Sequence, residues 1–381
     1  MRAEGPLAVY LHWPYCARIC PYCDFNVFRD RRAGEGARLA DAMVADLAHW
    51  RELTGAREVG SVHFGGGTPS LLTRAQLDSL LGAVDRLWGL PGGAEVALEA
   101  NPNDITEARL ADWSGAGINR LSIGVQSFDD PVLARLGRDH DGASARAAMR
   151  AAISRIPSVS TDLIFGVAGE AGDRLARDLD ALLEAGVSHI STYQLTIEPG
   201  TAFARAEARG ADLAADEEAS ASDFETIDAR LTAAGFEHYE VSNFARPGHR
   251  SRHNLSYWRG HDYVGVGPGA HGRLWQGGVR VATEAARRPA DYIARVAETG
   301  TAIAESDRLS PDEAAEEYVM MGLRTVEGIS LSRLAAVGGR ARDLPSYLFE
   351  DGLLEEGPHQ TAKATPRGRL VLDAVTRAVL L

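Results

Sequence analysis

All three cysteines of the 381-residue chain fall within one eight-residue run, Cys16-Ala-Arg-Ile-Cys20-Pro-Tyr-Cys23. An odd number of cysteines excludes a complete disulfide framework. Spacings of three and two residues let one loop wrap one soft metal centre, and thiolates suit zinc or iron–sulfur iron. A closed structural zinc site wants four ligands. His12 is a candidate fourth, but it sits in an apolar, strand-like run, and no second C-x2-C pair exists. Three thiolates on a four-iron cluster leave one iron open to a cofactor or substrate. Both readings put the chemistry in this segment.

The rest of the first half alternates between two periods. Strand-like runs cover residues 8–13, 61–64, 95–99, 120–125, 160–165 and 189–196, and stretches such as 38–53 and 74–87 between them have helical period. Asp104-Ile-Thr-Glu107 reads as a capping box opening a helix, and Gly117 and Gly186 read as helix stops. Strands alternating with helices imply a parallel sheet with right-handed crossovers. The sheet is either open and doubly wound or closed into a partial barrel, and in both cases chemistry belongs at the C-terminal strand ends. The cysteines, Gly65 to Thr68, Glu99, Gln126 and Asp162 all fall at such ends.

Beyond about residue 205 the pattern changes. A helix is expected over 212–235 and a strand over 238–242. Residues 245–280 are rich in glycine, histidine, arginine and aromatics, with little helical period, and residues 305–381 read as helical with short turns. With 45% hydrophobic and 24% charged residues, the chain can bury a substantial core. The net charge of −13 argues against a nucleic-acid surface, which needs a basic field. No run approaches the ~20 apolar residues of a membrane span, and no secretory signal is recognisable. A cytoplasmic protein without an integral membrane span is the expectation.

C-x3-C-x2-C at the end of a first strand resembles the radical S-adenosylmethionine (SAM) superfamily. The resemblance narrows along the chain. Tyr10-x-His12-x-Pro14-x-Cys16, Gly65-Gly-Gly-Thr-Pro69, Glu99-x-Asn-Pro102, Gly124-Val-Gln-Ser127, Gly137-Arg-Asp-His140 and Asp162-Leu-Ile-Phe-Gly166 are similar, in order, to the oxygen-independent coproporphyrinogen III oxidase family. That family contains oxidases and heme chaperones. Phe25 stands where the oxidases carry a further cysteine, and the first strand begins near residue 8, where the oxidases have a long N-terminal extension. His253-Asn-Leu-Ser-Tyr257-Trp258 matches the HNxxYW element of the chaperone branch.

The resemblance implies an α/β fold, a radical SAM partial (β/α)6 barrel with a small, mainly helical C-terminal domain. Residues 1–235 would form the barrel, 236–300 an extension carrying HNxxYW, and 301–381 the C-terminal domain. It also implies a [4Fe–4S] cluster on Cys16, Cys20 and Cys23. SAM would chelate the open iron, and its reduction would yield a 5′-deoxyadenosyl radical. Gly66, Gly67, Thr68, Glu99, Gln126, Arg138 and Asp162 would contact SAM, with Tyr10 supporting SAM or the cluster and Tyr22 reaching the adenine. The planar fork of Arg138 suits a carboxylate. His253 would ligate heme iron, with Tyr257 and Trp258 flanking the porphyrin. His261, His271 and Trp275 lie near in sequence, without a place in the motif. The ordinary reading of these polar residues is loop and surface polarity, and of His253 a locally hydrogen-bonded imidazole. The implied function is a heme chaperone that binds heme and passes it to acceptor proteins, with an electron donor required if SAM is cleaved. The alternative is oxidative decarboxylation of coproporphyrinogen III to protoporphyrinogen IX.

Overall fold

The computed structural model describes residues 5–29, 34–169, 173–338 and 344–380. Six strands, β1 (Leu7–Trp13), β2 (Val59–Gly66), β3 (Glu95–Ala100), β4 (Arg120–Gln126), β5 (Ser158–Phe165) and β6 (His189–Gln194), pair side by side in sequence order, every neighbouring pair parallel. Helices α1 (Glu35–Thr54), α2 (Arg74–Trp88), α3 (Glu107–Ala116), α4 (Gly142–Ile153) and α5 (Arg174–Ala185) make the crossovers. A doubly wound sheet would reverse its strand order at a switch point. This order never reverses, so the partial (β/α)6 barrel is the observed architecture.

The alternation in β1 shows how the sequence builds it. Leu7, Val9, Leu11 and Trp13 join the main core with Leu39, Met43 and Leu47 of α1. Tyr10 and His12, one residue out of phase, line the concave face. Parallel strands must be covered on both faces. Here the outer face is dry and packed, while the inner face carries polar groups.

The helix ends follow local chemistry. Thr73 and Gln76 form a reciprocal capping box that opens α2. The box expected at Asp104 to Glu107 does not form. Thr106, directly before α3, accepts from the Arg109 N–H at 3.2 Å, while Asp104 ends a short 3-10 turn and accepts from the Ser70 hydroxyl at 2.6 Å. Gly117 and Gly186 do end α3 and α5, with φ of 101° and 74°.

The remaining strands extend the sheet on both flanks. Beyond β6 lie β8 (Asn243–Ala245) and β7 (Glu237–Glu240), both antiparallel. On the other flank β9 (Tyr263–Val266) runs parallel to β1, followed by antiparallel β10 (His271–Gln276), β11 (Val279–Ala285) and β12 (Ile303–Arg308), completing a twelve-stranded sheet. The helix expected over 212–235 is α6 (Glu217–Ala233). HNxxYW lies on α7 (Arg252–Trp258), whose seven residues are too few to show a helical period. Helix α8 (Pro289–Thr299) precedes β12.

The C-terminal region has its own core, built from Tyr318, Val319 and Leu323 of α9 (Pro311–Gly322) with Ile329, Leu348, Leu354 and Val375. Its helices are accompanied by a three-stranded antiparallel sheet of β13 (Ile329–Ser330), β15 (Thr361–Ala364) and β14 (Leu354–Gly357). Residues 303–308 pair into the large sheet. Among the described residues, no helix is long and apolar enough to cross a membrane.

Candidate cluster and cofactor site

Where β1 ends, Tyr15 and Cys16 pair with Phe28 and Arg29 in a short parallel ladder that closes the base of the cysteine loop. Later segments hold the loop in place. The Phe203 N–H donates to the Pro21 carbonyl at 2.9 Å, and Asn26 Nδ2 donates to the carbonyls of Pro268 and Arg287 at 2.9 and 2.8 Å. Gly137, at φ +69°, lies so close beneath the loop that a Cβ there would come within 2.6 Å of Pro21 Cδ.

Cys16, Cys20 and Cys23 line a cavity of about 400 Å³ at the C-terminal mouth of the barrel, and all three are free thiols. Burial pushes the Cys16 thiol up, partly opposed by a hydrogen bond with Thr68, and it pushes Cys23 up to about 11. Unmetallated, these sites favour the thiol, so metal binding must release protons. Among the described residues no three His, Cys, Asp or Glu side chains cluster tightly enough for one metal ion. A four-iron cluster does not ask for that, because each thiolate binds a different iron.

The same cavity gathers Tyr22, Gly66, Gly67, Thr68, Glu99, Gln126, Arg138 and Asp162. The glycines are there because nothing larger fits. A Cβ on Gly66, at φ +110°, would meet the His12 ring at 2.5 Å, and one on Gly67 would meet the Pro14 carbonyl at 2.8 Å. Glu99 accepts from the Gly66 N–H at 3.2 Å and pairs with His63 Nε2 at 3.0 Å. Arg138 donates to the Cys20 thiol at 3.2 Å, to Asn101 Oδ1 at 2.6 Å and to the Gly124 carbonyl at 2.9 Å. Gln126 has φ 67° where the β4–β5 register slips, and its Oε1 is buried without a partner. A buried amide oxygen aimed at nothing in the protein suits a ligand donor. Asp162 accepts from the Ser122 hydroxyl at 3.0 Å, and burial raises its carboxyl to about 6. Tyr22 packs on Phe203 with ring centroids 6.1 Å apart. Burial raises its phenol beside Arg138 and Cys20.

Two expected residues lie elsewhere. Tyr10 lines neighbouring cavities, and its hydroxyl meets His12 Nδ1 at 3.0 Å. His12 Nε2 in turn reaches the Asn26 carbonyl at 3.0 Å, so Tyr10 braces the loop indirectly. His253 sits at the opposite end of the barrel and is 1% exposed. The Glu95 carboxylate, at the start of β3, accepts from the Arg252 and His253 N–H groups at 3.0 and 2.9 Å and caps α7 there. Both ring nitrogens of His253 are engaged, Nδ1 with Ser61 Oγ at 2.9 Å and Nε2 with Tyr257 Oη at 2.6 Å. Ligation of iron by this imidazole would require one of those bonds to break. Only the aromatic half of the motif, Tyr257 and Trp258, borders the larger cavity of about 690 Å³ that adjoins the cysteine site.

Sequence reading missed His63, Asn101, Ser122 and Tyr193, which line the barrel beside the expected residues. The signal for His63 and Ser122 was the period of two. They share the inward face with Gly65 and Gly124.

A cysteine loop over the C-terminal mouth of a sequentially wound parallel barrel defines a radical SAM protein, and the family model described as Radical SAM superfamily matches residues 10–182. A second model, HemN C-terminal domain, matches residues 309–344. The heme chaperone HemW of Mycobacterium tuberculosis is 40% identical over 98% of this chain and 95% of its own length. HemW of Escherichia coli is 33% identical over 98% of each chain. The mitochondrial radical S-adenosyl methionine domain-containing protein 1 of Bos taurus is 42% identical over 98% of this chain and 87% of the relative. The chain belongs to the HemW family. Coproporphyrinogen III oxidase (HemN) from Escherichia coli, a solved structure, superposes with a TM-score of 0.83 over 99% of this chain and 90% of the other, at 23% identity, which shows a shared fold.

Proposed function

We propose that the protein is a cytoplasmic heme chaperone carrying a [4Fe–4S] cluster on Cys16, Cys20 and Cys23, with SAM bound beside it. The observation that carries this reading is the junction of two cavities. The cysteine site and the larger aromatic cavity share Asp24, Phe25, Gly66 and Glu99 along their border. A cofactor and a porphyrin-sized ligand can therefore be held side by side, at volumes usual for small-molecule sites. The HemW relatives support heme as that ligand.

A [4Fe–4S] cluster held by Cys16, Cys20 and Cys23 would, when bound and reduced, be the source of an electron for the SAM sulfonium. The chain's own groups bind and orient. Glu99, Gln126 and Asp162 offer acceptors for amino and hydroxyl groups, the Arg138 fork neutralises anionic charge near Cys20, and Gly66 and Gly67 let the backbone approach closely. Heme would leave to acceptor proteins, and an electron donor would be needed only if SAM is cleaved. Phe25, 62% exposed, borders both cavities where the oxidases have a cysteine.

The test is anaerobic reconstitution followed by parallel assays. The expected outcome is about four irons per chain, saturable heme binding, and no sustained conversion of coproporphyrinogen III to protoporphyrinogen IX with SAM and a reductant. Sustained conversion would replace the chaperone reading with the oxidase.

A further inference from the structure

If the protein binds heme, the motif histidine is poorly placed to hold it. His253 is buried at the far end of the barrel with both nitrogens engaged. The imidazoles nearer the loop are also poorly placed. His12 is held by Tyr10 and the Asn26 carbonyl, and His63 Nε2 by Glu99. His63 keeps a buried Nδ1 without a partner, but it lines the inner barrel cavity and not the 690 Å³ one. His271 differs. It is exposed, it lines the 690 Å³ cavity, and among the described residues its ring makes no hydrogen bond.

The surroundings of His271 suit an axial ligand. It opens β10 directly across from Glu284 of β11. Opposed residues of an antiparallel pair have Cβ atoms about 4.5–5.5 Å apart. Ligating histidines characteristically present their second ring nitrogen to a carboxylate, which fixes the tautomer and raises the basicity of the ligating nitrogen. Met321 of α9 lines the same cavity and contributes a thioether, a second soft donor of the kind that pairs with histidine on heme iron. Phe25, Trp258 and Tyr263 add aromatic surface to the walls. Arg287 borders the same space with its side chain 72% exposed and Glu284 as its ion-pair partner, so it can meet a propionate.

We infer that heme binds in the cavity between the concave face of the large sheet and helix α9, with His271 as an axial ligand. This rests on the heme-binding reading above. It assigns the iron contact to an antiparallel strand outside the barrel and the HNxxYW element to wall and support. Heme delivered there lies against the cysteine loop, since Asp24, Phe25 and Asn26 line the same cavity.

The experiment is a heme titration followed by the Soret band, on the reconstituted full chain and on His271→Ala, His271→Gln and His253→Ala. Iron content and the thermal unfolding midpoint of each variant show whether it has folded. The expected result is that both His271 variants fold, bind heme ~10-fold or more weakly, and show a displaced Soret maximum that added imidazole restores in His271→Ala. His253→Ala should keep the wild-type Soret position. Folded His271 variants with wild-type affinity and spectrum would overturn the assignment while leaving heme binding intact. A displaced Soret band in His253→Ala but not in His271→Ala would return the ligand to the motif. A wild-type chain that binds no heme would remove the functional reading and this inference together.

Discussion

The guanidinium of Arg138 donates to the thiol of Cys20 across 3.2 Å, while its second nitrogen bonds Asn101 Oδ1 and the Gly124 carbonyl. One side chain thus ties the cysteine loop to the ends of β3 and β4. A cation donating to a cluster sulfur favours the reduced, more negative state, and hydrogen bonds to sulfur are a recognised control on cluster potential. Arg138→Ala is expected to retain the cluster and lower its reduction midpoint. Redox titration monitored by electron paramagnetic resonance reads this. Cys20→Ala should instead lose the iron.

Glu99 has different work. It holds the Gly66 N–H and His63, and it contributes no thiolate. Glu99→Ala should weaken SAM binding by ~10-fold or more, from the loss of a charge-assisted contact, while iron content stays near four per chain. Isothermal titration with SAM beside an iron assay separates the two. Iron loss equal to that of Cys20→Ala would place Glu99 in the cluster's own support.

Gly67→Ala tests the tightness of the cradle. The added methyl would meet the Pro14 carbonyl carbon and oxygen at 2.8 Å and the Tyr15 oxygen at 2.9 Å, all backbone atoms that cannot rotate away. The Gly67 N–H bond to the Trp13 carbonyl, at 2.8 Å, must shift as well. The expected cost is ~1–3 kcal/mol of stability, as for overpacked sites, seen as a lower thermal midpoint. Gly89→Ala, with nothing within 4 Å of the added carbon but φ +76°, should cost only the strain of its left-handed backbone.

Asp162 predicts a pH dependence. Burial raises its carboxyl from the ordinary 3.8 to about 6. A raised folded-state pKa means that the folded form holds its proton more tightly than the unfolded chain. Below about pH 4 both states are protonated and no penalty exists. As the pH rises through about 6, the folded state must bury a carboxylate, and stability falls. Relative to Asp162→Asn, the wild-type cluster-free chain should lose up to ~3 kcal/mol between pH 4 and 7. Paired denaturant melts at pH 4 and 7 measure it. A constant difference between the two proteins would show that Asp162 does not carry the dependence.

Much of the barrel was legible because its residues repeat locally. The inward–outward alternation of β1, β2 and β4 and the glycines ending α3 and α5 are set by chemistry within a few positions. The cap of α3 was misread by two residues, since Asp104 and Thr106 are both competent and only the Ser70 hydroxyl, thirty-four positions away, claims the aspartate. Helix α7 was missed because its seven residues are too few to show a period; Ser251 caps it locally through the Asn254 N–H, and Glu95 adds a second cap across 158 positions of chain to the His253 N–H.

What the sequence by itself determined is therefore the chemistry of one loop and the class of the fold. Three thiolates at spacings of three and two, followed by strands and helices in strict alternation, admit few architectures, and the elements that carry them are local. Which imidazole stands open was decided only by the tertiary structure. His253 and His271 are both plain histidines among aromatics and glycines in sequence. One is closed off by Ser61 from β2 and Tyr257 from its own helix, while the other lines a cavity completed by a C-terminal helix some fifty residues further on. Burial and hydrogen bonding to distant partners set an imidazole's availability, and those partners are brought together only when the sheet curls and the C-terminal domain docks.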